Sequence, residues 1–476
     1  MPIDLLLHAR WVIPVEPEGA VYPEHALAVH DGRIVDVLPS ARAAACYRAR
    51  EVQLLDRHAL IPGLVNAHVH APMVLFRGLA DDLALMDWLE HHIWPAERRF
   101  VDPEFVRDGM RHAIAEMIAG GTTCFNDMFF FPDQGAAVAA EVGMRITAGL
   151  IVIEFPTPWA QDTDEYFSKG TAVHDAYRGH PLVRTAFAPH APYTVSDDAL
   201  QRVSALAEEL DVPIQMHLHE TAREVDEART ASGERPLVRL KRLGLLSPRL
   251  QAVHMTALDS SDIALVAEHG VHVIHCPSSN LKLASGFCPV HALQAAGVNV
   301  ALGTDGAASN NRLDLLNEMR TAALLAKAQA GEARAVPAAR ALHMATLAGA
   351  RALGMEDLTG SLLPGKAADL VAIDLGGIDT EPVYDPISQI VYAAGRECVT
   401  EVWVAGRRLL AARGFTTLDA EAILGQSRAW RARIAAEGVG SGRRGPSELG
   451  VCPLTCSGRV GSRDRGGRGE GQYPEG

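Results

Sequence analysis

Pro62-Gly63-Leu64-Val65-Asn66-Ala67-His68-Val69-His70 opens on a chain-breaking Pro-Gly and runs on as an apolar strand, Val65–His70, ending in two histidines. Side chains alternate along a strand, so His68 and His70 leave its last residues in the same direction. Seven further apolar runs follow: Thr122–Met128, Arg145–Ile153, Val183–Pro189, Pro213–Leu218, Gln251–Met255, Val271–Cys276 and Val298–Thr304. Amphipathic stretches separate them. Asp102 can cap a helix with Pro103 at its first position and Gly120 where it should stop. Ser196 precedes Leu200, Val203, Ala207 and Leu210, which share one helical face. Strands alternating with helices make a parallel sheet with crossover connections, and eight of them can close on themselves. The expected class is α/β, with a (β/α)8 TIM-like barrel over residues 61–360.

The ends of the chain read differently. Leu5–Val15 is largely apolar, and Ala26–His30 and Arg33–Leu38 flank Asp31-Gly32, a two-residue hairpin signal. Comparable strands return at Asp369–Asp374, Val399–Val404 and Arg407–Leu410, the last two around Ala405-Gly406. Residues 1–60 and 361–415 are therefore expected to build a small β-sandwich domain together. Leu418–Ala436 carries one more helical pattern, so 416–437 is expected to be a C-terminal helix. Beyond it, 438–476 is roughly a third glycine with scattered arginines, a composition expected to stay disordered. Cys452 and Cys456 in that stretch are not expected to bind metal.

Composition bounds the function more loosely. The chain has 476 residues, 48% hydrophobic and 21% charged, as in an ordinary globular protein. A net charge of −14 argues against nucleic acid or an anionic membrane as a partner, since the long-range field repels both. Seven scattered cysteines (46, 124, 276, 288, 398, 452, 456) suit reduced thiols rather than a disulfide framework. The N-terminus shows no signal-peptide pattern and no apolar run is long enough to span a bilayer, so the expected location is cytoplasmic. A homo-oligomer is an open option for which one sequence names no interface.

In barrel enzymes the reactive groups come from the C-terminal ends of strands. Here His68 and His70 end the first strand, His217 the fifth, and Asp305 follows the eighth. Imidazoles with a carboxylate suit one divalent ion, Zn²⁺ first and Fe²⁺ or Mn²⁺ as alternatives, with a position left for water. His217 and His219 alternate, so either could face inward. Glu220, just beyond, can move a proton beside the ion; otherwise it is a solvated loop carboxylate. His254 ends the sixth strand and can ligate the ion or hydrogen-bond its water. Asp305 can also take a proton from that water. Lys169, Lys241, Lys282, Lys327 and Lys366 fall in helices or loops, away from strand ends where a carbamylated bridge between two ions would stand, which favours a single metal.

Pro-Gly-Leu-Val-Asn-Ala-His-Val-His (62–70), His-Leu-His-Glu-Thr (217–221) and Gly-Thr-Asp-Gly-Ala-Ala-Ser-Asn-Asn (303–311) resemble the amidohydrolase superfamily. Cys-Pro-Ser-Ser-Asn-Leu-Lys-Leu (276–283) and Trp-Pro-Ala-Glu (94–97) narrow the resemblance to its methylthioadenosine/S-adenosylhomocysteine deaminase branch, from near residue 1 to about 436. The resemblance implies His68, His70, His217 and Asp305 as metal ligands, with His217 chosen over His219. It implies Glu220 as the acid/base that meets the purine, Glu97 on the ribose hydroxyls, and His190, in Ala-Pro-His-Ala-Pro-Tyr (188–193), near the substrate. Some members grip the amino-acid carboxylate of S-adenosylhomocysteine with arginines after the third strand. Here that stretch is Ile151-Val152-Ile153-Glu154-Phe155-Pro156, and Arg145 lies too early in the strand. With apolar Met128–Phe131 nearby, that points to 5'-methylthioadenosine as preferred substrate and S-adenosylhomocysteine as a possible one.

The reaction implied is hydrolytic deamination at C6 of an adenine nucleoside. Glu220 protonates the ring nitrogen, Asp305 takes the proton of the attacking water, and His254 steadies it. The rival reactions share the metal set: guanine or other aminopurine deamination, triazine dechlorination, or ring-amide hydrolysis. A second class, a non-catalytic barrel serving as a binding or assembly subunit, would be expected to have lost ligands or the proton shuttle, whereas every position is filled here.

Overall fold

A computed structural model describes residues 1–437. Its strands in chain order are β1 (Pro2–Val12), β2 (Tyr22–His30), β3 (Arg33–Pro39), β4 (Arg48–Pro62), β5 (Leu64–Val69), β6 (Thr122–Asp127), β7 (Arg145–Val152) and β8 (Val183–Pro189). There follow β9 (Ile214–Leu218), β10 (Leu250–His254), β11 (His272–His275), β12 (Val300–Leu302), β13 (Leu370–Asp374), β14 (Val399–Val404), β15 (Arg407–Ala411) and β16 (Gly414–Phe415). The expectations for the tail, Cys452 and Cys456 included, lie outside the described residues.

β5 to β12 pair in sequence order, each parallel to the next, as the eight apolar runs predict. Closure between β12 and β5 uses different bonds. The Thr304 amide donates to Asn66 Oδ1 at 3.0 Å, Asn66 Nδ2 donates to Thr304 Oγ1 at 2.7 Å, and the Asp305 amide donates to His68 O at 3.1 Å. A Cβ on Gly303 would stand 2.9 Å from His68 O, so only glycine lets the two backbones approach this closely. β12 is shorter than Val298–Thr304 because its end leaves the ladder for the Asn66 side chain, and Asp305 then turns left-handed (φ 61°).

Local signals account for the connections. Asp102 Oδ1 accepts from the Phe105 amide at 2.8 Å and caps Pro103–Ala119, which stops at Gly120. Ser196 Oγ caps Asp197–Leu210, burying Leu200, Val203 and Ala207. Ala420–Ala436 starts at an Asp419 cap and docks through Trp430, whose ring centroid lies 5.1 Å from that of Phe105 and whose Nε1 donates to Asp108 at 3.0 Å. No helix among the described residues is long and apolar enough to cross a membrane.

The sequence predicts a β-sandwich at the ends of the chain. The structure makes it from one continuous mixed sheet, ordered β16-β15-β14-β13-β4-β1-β2-β3, folded so that the β2–β3 and β14–β15 turns come together. Asp31-Gly32 (φ 48° and 72°) and Ala405-Gly406 (φ 47° and 75°) are both hairpin turns with two left-handed residues. The turns touch: a Cβ on Gly32 would lie 2.5 Å from Ala405 O. Leu7, Leu27, Leu370 and Trp403 pack in the enclosed core.

Arg145 ties this sheet to the barrel. At the start of β7 it forms a buried bidentate pair with Asp369 (2.9 and 3.1 Å), and Asp369 Oδ1 also accepts from the Ala405 amide at 2.7 Å. Arg145 is thus at the opposite end of the barrel from the strand tips that carry the histidines. Arg145→Leu leaves a buried carboxylate unpaired, so unfolding free energy should fall by about 3–5 kcal/mol, with Arg145→Leu/Asp369→Asn recovering part of it in denaturant titrations. A loss below about 1 kcal/mol would mean the pair carries no stability.

Candidate active site

The C-terminal ends of β5, β9, β10 and β12 bring His68, His70, His217, His254, Glu220 and Asp305 to one pocket. The Nε2 atoms of His68 and His217 are 3.2 Å apart, and Asp305 Oδ1 lies 3.2 Å from His70 Nε2 and 3.6 Å from His68 Nε2. Which nitrogen carries each proton follows from the outer partners. His70 Nδ1 donates to Met128 O at 2.5 Å and His217 Nδ1 to His190 O at 2.8 Å. His68 Nδ1 donates to Gln215 Oε1 at 3.3 Å, and the Gln215 amide nitrogen is already committed to Asn126 Oδ1 and Asp127 O at 3.0 Å. With all three Nδ1 atoms committed as donors, three Nε2 atoms converge beside a carboxylate. Ligand atoms of these three histidines all lie within 4.8 Å of one another. Two facing lone pairs at 3.2 Å repel unless a cation lies between them. This donor set fits a divalent ion.

Burial lowers His68 to about 4 and His217 well below its ordinary value. Burial alone would raise Asp305, but His68 and His70 hydrogen-bonded to it hold its carboxyl well below the usual range. Burial works against the proton on His70, and Asp305 outweighs it, raising that ring to about 9, so without a cation its Nε2 holds a proton that a bound metal ion would replace. The carboxylate's pull on positive charge is what an ion would satisfy.

The remaining groups are oriented by loops. Asp305 Oδ2 accepts from Ser279 Oγ at 2.6 Å and Ser309 Oγ at 2.9 Å, and Oδ1 accepts from the Gly306 amide at 2.8 Å. His254 Nδ1 donates to Asn280 Oδ1 at 2.8 Å, which leaves Nε2 as an acceptor 3.7 Å from Glu220 Oε2. Burial, with Asp305 second, raises Glu220 to about 8. The Glu220 and His219 amides donate to the buried Glu224 carboxylate at 2.7 and 2.9 Å, fixing the turn that aims Glu220. His219 is turned away. Its backbone is left-handed (φ 49°), its Nδ1 donates to Ala257 O at 2.9 Å and its Nε2 accepts from the Leu237 amide at 3.2 Å.

Glu97 and His190 both line the same pocket. Glu97 projects from Trp94–Phe100, which follows a π-helical turn, Leu89–Ile93. Burial raises its carboxyl to about 7. His190 is lowered to about 3 by burial, and its Nδ1 pairs with Thr194 Oγ1 at 3.0 Å. Trp88, Trp94, Phe129 and Phe130 make aromatic walls, and among the described residues no lysine or arginine lines this pocket. Arg98 stands in an outer groove that shares Trp94 and Phe155 with it.

Sequence reasoning assigned no role to Gln215, Ser279, Asn280, Ser309 or Glu224. Gln215 carried a signal, since it lies two residues before His217 and so on the same strand face. Ser279 and Asn280 lie in the quoted 276–283 motif without periodicity to orient them.

The amidohydrolase family model matches residues 59–409. A 5-methylthioadenosine/S-adenosylhomocysteine deaminase of Saccharophagus degradans is 49% identical over 92% of this chain and 98% of its own. The crystal structure of an adenosine deaminase from Xanthomonas campestris with bound zinc superposes with a TM-score of 0.91 at 53% identity, over 91% of this chain and 99% of that one. An atrazine chlorohydrolase from Arthrobacter aurescens, complexed with zinc, shares the fold (TM-score 0.83) at 22% identity over 90% of this chain and 99% of its own.

Proposed function

The chain belongs to the amidohydrolase family, and from that premise we propose that it deaminates adenine nucleosides hydrolytically, releasing ammonia and the inosine derivative. The carrying observation is the convergence of three imidazole Nε2 atoms on an ionised aspartate, at the base of a pocket with carboxyls on its walls. The rival reactions and the non-catalytic reading are not favoured.

His68, His70, His217 and Asp305 are the residues that would hold a divalent metal, and three imidazoles with one carboxylate suit zinc. Bound there, the ion supplies Lewis-acid stabilisation and a water acidic enough to lose a proton near neutral pH. Asp305, an acceptor fixed by two serines and a backbone amide, takes the proton of the attacking water. His254, whose Nε2 is left as an acceptor by Asn280, orients that water. Glu220, kept protonated by burial, gives its proton to the ring nitrogen beside C6 and makes that carbon electrophilic. The water oxygen bonds to C6, Asp305 passes the proton it took to the amino nitrogen, the C6–N bond breaks to release ammonia, and the new C6 hydroxyl returns its proton to Glu220 as it becomes the carbonyl. Glu97 accepts from the ribose hydroxyls and His190 contacts the nucleoside. We assign this work to the barrel, 61–360, with 1–60 and 361–415 as a supporting β domain and 416–437 as a docked helix. The cysteines at 46, 124, 276, 288 and 398 are all free, which suits the cytoplasm.

Ammonia release from methylthioadenosine, S-adenosylhomocysteine, adenosine and guanine tests the reading. Methylthioadenosine should be fastest, with S-adenosylhomocysteine slower by about tenfold, because an amino-acid carboxylate meets no cation inside the pocket. Turnover of guanine alone would overturn the nucleoside reading.

Glu97 offers a second test with two readouts. Glu97→Ala should lower kcat/KM for methylthioadenosine by about a hundredfold, whereas an enzyme for free bases would hardly notice. Glu97→Gln should also be more stable than the parent at pH 8, by about 2 kcal/mol. A carboxyl raised from 4.5 to about 7 favours the folded state below pH 4.5 and loses that advantage as pH rises through 7, so the gain should vanish near pH 4.5. Equal Tm shifts at both pH values would show that Glu97 is not desolvated.

A further inference from the structure

A second cavity, of about 730 Å³, opens at the N-terminal ends of β7 to β10, on the face of the barrel opposite the site. Ligand sites span roughly 300–1,000 Å³, so it is large enough for a small organic molecule. Arg33, Arg184 and Arg351 line it, and none has an acidic partner within ion-pair distance among the described residues. Two of these guanidiniums are anchored all the same: Arg184 Nη1 donates to Gly354 O at 2.8 Å and Arg33 Nη1 to Gly365 O at 2.7 Å. A carbonyl anchor holds the group in place without neutralising it, and leaves its other N–H groups free. Arg178 and Arg249 also line the cavity but are paired with Asp175 (2.9 Å) and Asp211 (2.6 Å).

Three uncompensated like charges around one hollow repel one another, on a chain whose net charge is −14. Surface arginines that serve only solubility do not need fixing over a cavity. Thr147, 1% exposed, lines the cavity floor without adding charge. Tyr177 and Leu353 add apolar wall beside the charges.

We propose that this cavity binds an organic phosphate of about nucleotide size, its phosphate bridging Arg33, Arg184 and Arg351 and its organic part against Tyr177 and Leu353. A phosphate near −2 matches three guanidiniums better than a single carboxylate, and the volume exceeds what inorganic phosphate alone fills.

The test is equilibrium dialysis of the metal-loaded, full-length enzyme against UMP at constant ionic strength, with uridine and inorganic phosphate as controls. UMP carries no adenine to draw it into the deaminase pocket. Saturable UMP binding is expected, with no binding of uridine. Arg351→Gln, which disturbs no hydrogen bond within the described residues, should weaken UMP by about tenfold, and Arg184→Gln/Arg351→Gln by about a hundredfold, with methylthioadenosine turnover unchanged. Glu97→Ala should leave UMP binding as it was. The proposal is overturned by no saturable UMP binding up to about 10 mM, by phosphate binding without UMP, by UMP binding equal in both arginine variants, or by UMP binding lost with Glu97.

Discussion

Glu220→Gln keeps its metal and loses about three orders of magnitude in kcat for methylthioadenosine. Glu220 stands beside the ion position, with Oε2 3.7 Å from His254 Nε2 and Oε1 3.3 Å from Ser285 Oγ. Its amide is held by Glu224, so the turn that aims the side chain does not depend on the carboxyl itself. Glutamine has the same shape and can still donate a hydrogen bond to the ring nitrogen. It cannot give up a proton, and an unprotonated adenine ring is a poor electrophile at C6. KM should therefore change little while kcat collapses, the pattern of an interaction realised only in the transition state. Metal content by mass spectrometry and ammonia release separate the two effects. A variant within about fivefold of the parent would remove Glu220 from the proton path.

Periodicity marks the barrel because its strands are mostly apolar and buried; in Val183–Pro189, whose bounds the sequence predicts, only Arg184 is exposed. It overran β12, where a seven-residue run holds a three-residue strand, because the closing bonds come from Asn66 rather than from a neighbouring ladder. It also left His217 and His219 equivalent, since alternation has no way of announcing where a strand stops. β9 ends at Leu218, His219 turns left-handed, and the ring goes to Ala257 and Leu237 instead. Residues that chemistry demands on strand ends were legible. The residues that hold them still are not: Ser279 and Asn280 sit in a short helix, Pro277–Lys282, and Ser309 in a turn, each placed by tertiary contacts, and nothing in local spacing says that Asn280 will meet His254 and the serines Asp305.

Those serines make the effect of Asp305→Asn larger than the loss of a single ligand. Oδ2 accepts from two hydroxyls and Oδ1 from the Gly306 amide, while Oδ1 also faces His70 and His68. Every neighbour is arranged around an acceptor-only anion. An amide there places N–H groups against donors on one side and removes the negative charge that offsets the cation on the other. Metal affinity should fall by about a hundredfold, and turnover by about 10⁴ because the group that receives the water's proton is gone as well. The two losses can be separated by titrating zinc back into the variant. Occupancy should return at high zinc while turnover does not, since a carboxamide cannot take the proton whatever the loading. If turnover recovers in step with occupancy, Asp305 is a ligand only, and the base must be sought at His254, the acceptor that Asn280 leaves facing the same water.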